Sequence, residues 1–351
     1  MTVATTTRPL VEGPSAWIGA QLASHPEEWI YTLSPTEIGE IEDAVAKVHG
    51  RDLAALGYAD FDLPTLGPVL EKMRDEVING RGFVLIRGLP VEGKPITDSA
   101  AAYWAIGTRF GNPRSQNAMG HLLGHVRDLG LATTDPNVRT YQTTERQHFH
   151  TDSCDIVALL CLKTAREGGL SSIVSSMAMY NEMAKRRPDL LDRLFEPFAT
   201  DRRGEVPVGE KPYFDMPVYH AHEGYISAIY SGTYIRSAQR FPEVPRLTDS
   251  DIEALELFDD LANDKELRLD MELQPGDMQF LHNHTCLHDR TAFVDWPERD
   301  RKRHLLRLWL AAPGARPLPA IYAPRYGSTT IGDRGGIICE KTRLHAPLEP
   351  V

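Results

Sequence analysis

Apolar and polar positions divide the chain into helices early and strands late. Ser34-Pro35-Thr36-Glu37 has the form of a capping box with proline at the first helical position. Ile38, Ile41, Val45 and Val48 follow at helical spacing. Leu66, Val69, Met73 and Val77 predict a second helix over residues 66–78, and a third is expected over 98–110. Between those two, Phe83-Val84-Leu85-Ile86-Arg87 is a compact apolar run bounded by Gly82 and Gly88, which predicts a buried strand. Residues 110–148 are loop-rich and suit a lid or a site wall.

Further on, strands are expected over 156–162 and 172–174, separated by the break at Gly168-Gly169, then helices near 177–186 and from Pro188. Residues 200–247 carry turns and short strands. Thr248-Asp249-Ser250-Asp251 caps a helix to about residue 262, with Ile252, Leu255, Phe258 and Leu261 inward. The last third is β-like. Residues 267–273 lead into a turn at Gln274-Pro275-Gly276-Asp277, then strands over 278–281 and 304–311. Residues 1–30 read as an irregular arm, and no internal repeat interrupts the pattern. The expected architecture is mainly β with helical additions, a decorated barrel or jelly roll. It is expected to form one domain over 1–351, with an arm and helices to residue 80, the β core over 81–312 and an irregular C-terminal segment over 313–351.

Composition narrows the function. The net charge is -11, from 38 basic and 49 acidic residues, with no block of like charge. Nucleic acid and anionic membranes are therefore not expected as partners. The polar start and the absence of a run of 18 apolar residues lead to the expectation of a cytoplasmic protein acting on a small molecule. Self-association is left open. Cys154, Cys161, Cys286 and Cys339 have no paired spacing and are expected as reduced thiols.

The chemistry lies in Gln147-His148-Phe149-His150-Thr151-Asp152. In an extended strand residues i and i+2 share a face, so His150 and Asp152 can reach one ion while Thr151 points away. With His288 far downstream, two imidazoles and one carboxylate match the facial triad of non-heme iron(II) oxygenases. His284 and His288 have helical i, i+4 spacing, but Thr285 stands where a zinc protease needs glutamate. His282 and His284 are expected to be structural, His220 and His222 to lie on the surface or in the core, and His148 to be a pocket wall or core residue.

In the strand over 303–310, Arg303, Leu305, Arg307 and Trp309 share one face, and Leu306, Leu308 and Leu310 the other. Inward arginines are costly without anions to meet them, and these two stand about 13 Å apart along a strand, room for two separate anion contacts. Asp155 is a candidate partner for a substrate ammonium at the site mouth. Gln116 and Asn117 are candidate pocket residues in the preceding loop, with Tyr230 and Arg236 as further candidates.

Together these pieces resemble the taurine dioxygenase (TauD/TfdA) family of iron(II)- and 2-oxoglutarate-dependent oxygenases. The matching residues are His150-Thr151-Asp152, the Glu167-Gly168-Gly169-x-Ser171 turn, Gly276-Asp277-Met278, Leu287-His288-Asp289-Arg290-Thr291-Ala292-Phe293 and Arg303-x-x-x-Arg307, spanning about residues 80–312. The resemblance implies a double-stranded β-helix, a cupin-like jelly roll. It implies that His150, Asp152 and His288 bind Fe(II), and that Arg303 and Ser171 hold the distal carboxylate of 2-oxoglutarate. Arg307 then meets an anionic group of the substrate. Dioxygen is the oxidant and hydroxylation of a C–H bond the expected outcome, with desaturation or cyclisation as alternatives at the same iron. An aspartate at position 152 disfavours halogenation, for which related enzymes lack the carboxylate. The rival readings are a non-catalytic metabolite sensor and a zinc hydrolase using the same three ligands.

Overall fold

The computed structural model describes residues 8–131 and 138–350. The polar start at residues 1–7 and the centre of the expected lid, residues 132–137, lie outside that description. Two facing sheets form the core. The major sheet runs in the order Ile30–Thr32, Phe83–Arg87, Met278–His282, Ile156–Lys163, His304–Ala311, and the far side of this last strand pairs with both Asn112–Arg114 and Leu123–Val126. The minor sheet runs Arg268–Met271, Ser171–Ser175, Cys286–Arg290, Gln147–His150. This is the jelly roll expected from the strand pattern.

Side-chain alternation explains the layering. Leu306, Leu308 and Leu310 point outward from the major sheet with Met278 and Phe280. They pack under the helices Pro35–Lys47, Leu66–Asn79 and Ile96–Phe110. Leu305 and Trp309 point the other way and meet Ile173, Leu269, Met271 and Cys286 between the sheets. On the outer face of the minor sheet, Phe149, Val174 and Leu287 are covered by the helices Ser176–Arg186, Pro188–Arg193 and Asp249–Asn263. Each fully buried Leu, Ile or Phe in these layers contributes about 1.5–3 kcal/mol.

Both expected capping boxes are formed. The Ser34 hydroxyl accepts from the Glu37 N–H and Glu37 accepts from Ser34, and Thr248 and Asp251 do the same. Each such cap stabilises its helix by about 1 kcal/mol. The turn at Gln274–Asp277 is held by Asp277, whose carboxylate takes a bidentate pair from Arg87 at 2.9 and 2.8 Å. Gly276 is required there. Its φ is +88°, and a Cβ would lie 2.1 Å from the Leu89 carbonyl oxygen.

Several expectations change. The arm is not wholly irregular. It forms a short helix, Gly19–Ala23, and Ile30–Thr32 joins the major sheet in parallel with Phe83–Arg87. A three-residue strand leaves no periodicity to read. Ile252 is exposed rather than inward, because the buried face of its helix is Asp251, Ala254, Leu255, Phe258 and Leu261. A helix at Gly232–Ala238 interrupts the region expected to hold only turns and strands. Cys154, Cys161 and Cys286 are buried free thiols, and Cys339 is a half-buried one. No helix among the described residues is long and apolar enough to cross a membrane.

The C-terminal segment contains little regular structure, but it is tied to the core. Arg334, fully buried, donates to Asp155 at 2.8 Å through Nε. Asp155 also accepts from His284 Nε2 at 3.0 Å and from the Ala312 N–H at 3.1 Å. Burial raises the Asp155 pKa, but His284 and Arg334 outweigh it and hold the carboxyl below its ordinary range. Arg334→Met should therefore destabilise the fold by about 3–5 kcal/mol, as removing one partner of a buried ion pair strands the other. Urea unfolding of both proteins checks this, and an unchanged midpoint contradicts it.

Candidate active site

His150 ends its strand, and His288 stands directly opposite it on Cys286–Arg290 as its cross-strand partner. Asp152 lies just beyond the strand rather than within it. The chain turns at Thr151, whose N–H donates to the Tyr230 carbonyl at 2.8 Å and whose hydroxyl accepts from the Tyr230 N–H at 2.9 Å. Thr151 thus points away, as alternation predicts, and Asp152 returns to the side of His150. His150 Nε2 is 3.8 Å from Asp152 Oδ1, and His288 Nε2 is 3.7 Å from Oδ2. One ligand atom from each of the three lies within 4.8 Å of the others, and among the described residues no second cluster of three metal-ligating side chains forms.

The protonation states suit a metal. His150 Nδ1–H donates to the His148 carbonyl oxygen at 2.8 Å, which assigns the lone pair to Nε2. Burial and the neighbouring His150 push His288 down to about 3, against the pull of Asp152, so its imidazole is neutral. Burial raises the Asp152 pKa, but Arg307 and the two imidazoles outweigh it and keep the carboxyl below its ordinary range. Asp152 is fixed in place by Trp309 Nε1–H, which donates to Oδ2 at 2.9 Å. Its backbone N–H donates to Asn283 Oδ1 at 2.9 Å.

Two cavities meet at this cluster. The first is a narrow cleft of about 30 Å³ between the sheets, lined by Ser171, His288, Arg290, Arg303, Leu305 and Arg307 among others. Arg303 is 4 % exposed, and its Nη1 has no partner among the described residues. Burial lowers its pKa to about 10, so it stays cationic at neutral pH. Gly169 allows this approach. A Cβ there would lie 3.0 Å from Arg303 Nε, and the glycine's φ is +74°. The second cavity, about 310 Å³, opens on the other side, with His148, Tyr141 and Tyr230 in its wall. Gln147, His150 and Arg307 border both.

The nominated residues fare unequally. Ser171 and Arg303 line the narrow cleft, and His148 and Gln116 line the larger cavity. Arg307 borders both, but it is already engaged. Its Nε donates to Gln116 Oε1 at 2.7 Å, and its Nη1 is 3.7 Å from Asp152. Asp155 does not stand at the mouth, since its ion pair with Arg334 turns it into the core. Asn117 is a turn former whose Oδ1 accepts from the N–H groups of Met119, Gly120 and His121. Arg236 pairs with Asp259 and does not line either cavity. His282 and His284 are fully buried and hydrogen-bonded within the fold, as expected of structural histidines.

Sequence reasoning gave no role to Trp309, Asn283, Arg290, Arg139, Arg203 or Arg325. Trp309 was legible, because it falls on the same alternating face as Arg303 and Arg307. Arg290 was legible too, two residues after His288 on one strand face, and the remaining four join the site only through contacts distant in the chain.

The donor set fits a divalent iron, and the unpartnered Arg303 nitrogen fits a carboxylate at the end of the narrow cleft. Comparison with known proteins agrees. Residues 49–309 match the model of the family described as "Taurine catabolism dioxygenase TauD, TfdA family". FR-33289 synthase of Streptomyces rubellomurinus is 32% identical over 321 residues, covering 88% of this chain and 92% of that protein. Among solved structures, an asparagine oxygenase in complex with Fe(II), (2S,3S)-3-hydroxyasparagine and succinate aligns with a TM-score of 0.60 at 17% identity, over 80% of this chain and 93% of that one. The non-heme iron oxygenase OrfP in complex with Fe and alpha-ketoglutaric acid aligns with a TM-score of 0.58 at 16% identity, over 80% and 93%. The chain belongs to the TauD/TfdA family and is a 2-oxoglutarate-dependent non-heme iron dioxygenase.

Proposed function

We propose that the enzyme hydroxylates a C–H bond of a small polar, amino-acid-like metabolite in the 310 Å³ cavity, with residues 1–351 acting as one catalytic unit. The observation that carries this reading is the junction of two unlike cavities at one three-ligand cluster. In this reading His150, Asp152 and His288 hold Fe(II). Arg303 would hold the distal carboxylate of 2-oxoglutarate through a charge-assisted hydrogen bond, and Ser171 would offer a hydroxyl in the same cleft. When bound, iron and 2-oxoglutarate use dioxygen to oxidise the substrate, with release of succinate and carbon dioxide.

The chain's own residues orient and exclude. Trp309 and Asn283 keep Asp152 turned toward the two imidazoles. Leu159, Leu305 and Val126 line the narrow cleft and keep water from the Arg303 contact. His148 and Tyr141 wall the larger cavity, and Val138 to Thr140 from the expected lid border it. The polar lining and the hydroxyasparagine held by the asparagine oxygenase support the choice of substrate class.

Purified protein given Fe(II), ascorbate, 2-oxoglutarate and air should release succinate, and a panel of amino acids and related acids should contain compounds that stimulate that release. The oxidised product should form in equal amount to the succinate. Product formation without dioxygen would favour the zinc hydrolase, and 2-oxoglutarate binding without succinate would favour the sensor.

A further inference from the structure

The wall of the larger cavity carries charge that the metal site does not use. Arg203 and Arg325 both line it, and neither forms an ion pair among the described residues. Arg325 donates from Nε to the hydroxyl of Ser153, next to the proposed ligand Asp152, at 2.6 Å, and its guanidinium lies 5.4 Å from the centre of the Phe214 ring. Arg203 lies 5.4 Å from the centre of the Tyr234 ring, and its Nε is buried with no partner among the described residues. Arg139 lies over the same Tyr234 ring, also at 5.4 Å, and pairs with Glu205.

Of these three guanidinium groups, only that of Arg139 is paired with a carboxylate among the described residues. The backbone reinforces the point. Arg203 has a φ of 53°, one of two non-glycine residues in the left-handed region among the described residues. Its N–H donates to Asp201 Oδ1 at 2.8 Å, so the turn that holds this conformation also fixes the arginine at the cavity wall. The bland alternative is a pair of solvated surface arginines. Both are half-buried, however, and a cleft that partly desolvates two cations without a counter-ion is unfavourable. Among the described residues no carboxylate pairs with either guanidinium, although Asp201 accepts from the Arg203 backbone N–H. Arg307, the residue nominated from sequence, is already held by Gln116 and faces Asp152.

We infer that Arg203 and Arg325, with Arg139 at the edge, form an oxyanion subsite that holds an acidic group of the substrate. The substrate is then an anion, recognised through a carboxylate or a phosphoryl-type group away from the carbon that is oxidised. This rests on reading the larger cavity as the substrate pocket. Two planar forks and a free N–H suit a group with two or three oxygens.

The test is calorimetric titration of the anaerobic protein loaded with Fe(II) and 2-oxoglutarate, using inorganic phosphate and acetate as separate probes. At least one should bind saturably. Arg203→Gln and Arg325→Gln should each weaken that binding about tenfold or more, the value of one charged hydrogen-bonding partner. Arg203→Lys and Arg325→Lys, which keep the charge but lose the planar fork, should bind the probe more weakly than the parent and more tightly than the glutamine variants, which separates a lost charge from a misfolded variant. Tighter phosphate identifies a phosphoryl-type ligand, and tighter acetate a carboxylate. No saturable binding of either probe, or binding indifferent to both glutamine variants, overturns the inference. The same comparison in the Asp152→Ala background separates the two readings. Anion binding that persists there, still sensitive to Arg203→Gln, leaves the subsite standing even if the iron ligands are misassigned.

Discussion

Asp152→Ala is expected to abolish substrate-stimulated succinate release. The carboxylate contributes the only negative charge among the three proposed ligands, and nothing nearby replaces it. Arg307, 3.7 Å away, would face an empty site with its positive charge uncompensated, which disfavours a cation there. Loss of an outer partner of a metal ligand costs about 10- to 100-fold in metal affinity or activity. Trp309→Phe, which removes the 2.9 Å hydrogen bond to Asp152, should fall in that range. Asp152→Ala should fall well beyond it. The measurement is succinate formed per enzyme at saturating iron and 2-oxoglutarate, together with iron content after gel filtration. Full activity in Asp152→Ala would remove the ligand assignment.

Arg303→Gln should raise the KM for 2-oxoglutarate about 10- to 150-fold, as expected from loss of a charged hydrogen-bond partner worth about 1.5–3 kcal/mol. The kcat at saturating co-substrate should change much less, since the contact is made equally before and during the reaction. Arg307→Gln should show the opposite split. That residue is spent on Gln116 and on the field at Asp152, so its loss should lower kcat more than it raises KM. Steady-state kinetics in 2-oxoglutarate for the two variants decide the matter. Equal KM effects would contradict this division of labour.

Much of this is legible in the sequence, for a physical reason. Helix caps are local, so Ser34 and Thr248 announce their helices. Alternation is local too, so His304–Ala311 could be assigned to opposite faces residue by residue. His150, Asp152 and His288 were legible because a facial triad demands particular residue types. What could not be read depends on distant partners. Asp155 stands three residues from Asp152, and only Arg334, far along the chain, turns it into the core. Arg203 and Arg325 follow no period, and only the folding of the C-terminal segment onto the cavity wall brings them together. The Ile30–Thr32 strand exists because Phe83–Arg87 offers it an edge.

The cross-strand pairing of His150 with His288 also ties chemistry to strand register. On Cys286–Arg290, His288 and Arg290 face the space between the sheets, while Leu287 is packed among helices and Asp289 pairs with Arg146. A slip of one residue would invert every side chain. It would present Leu287 or Asp289 to His150 and expose a leucine that is now fully buried. The same hydrophobic packing that stabilises the minor sheet therefore proofreads the metal centre, and a misaligned chain is penalised before any ion is bound.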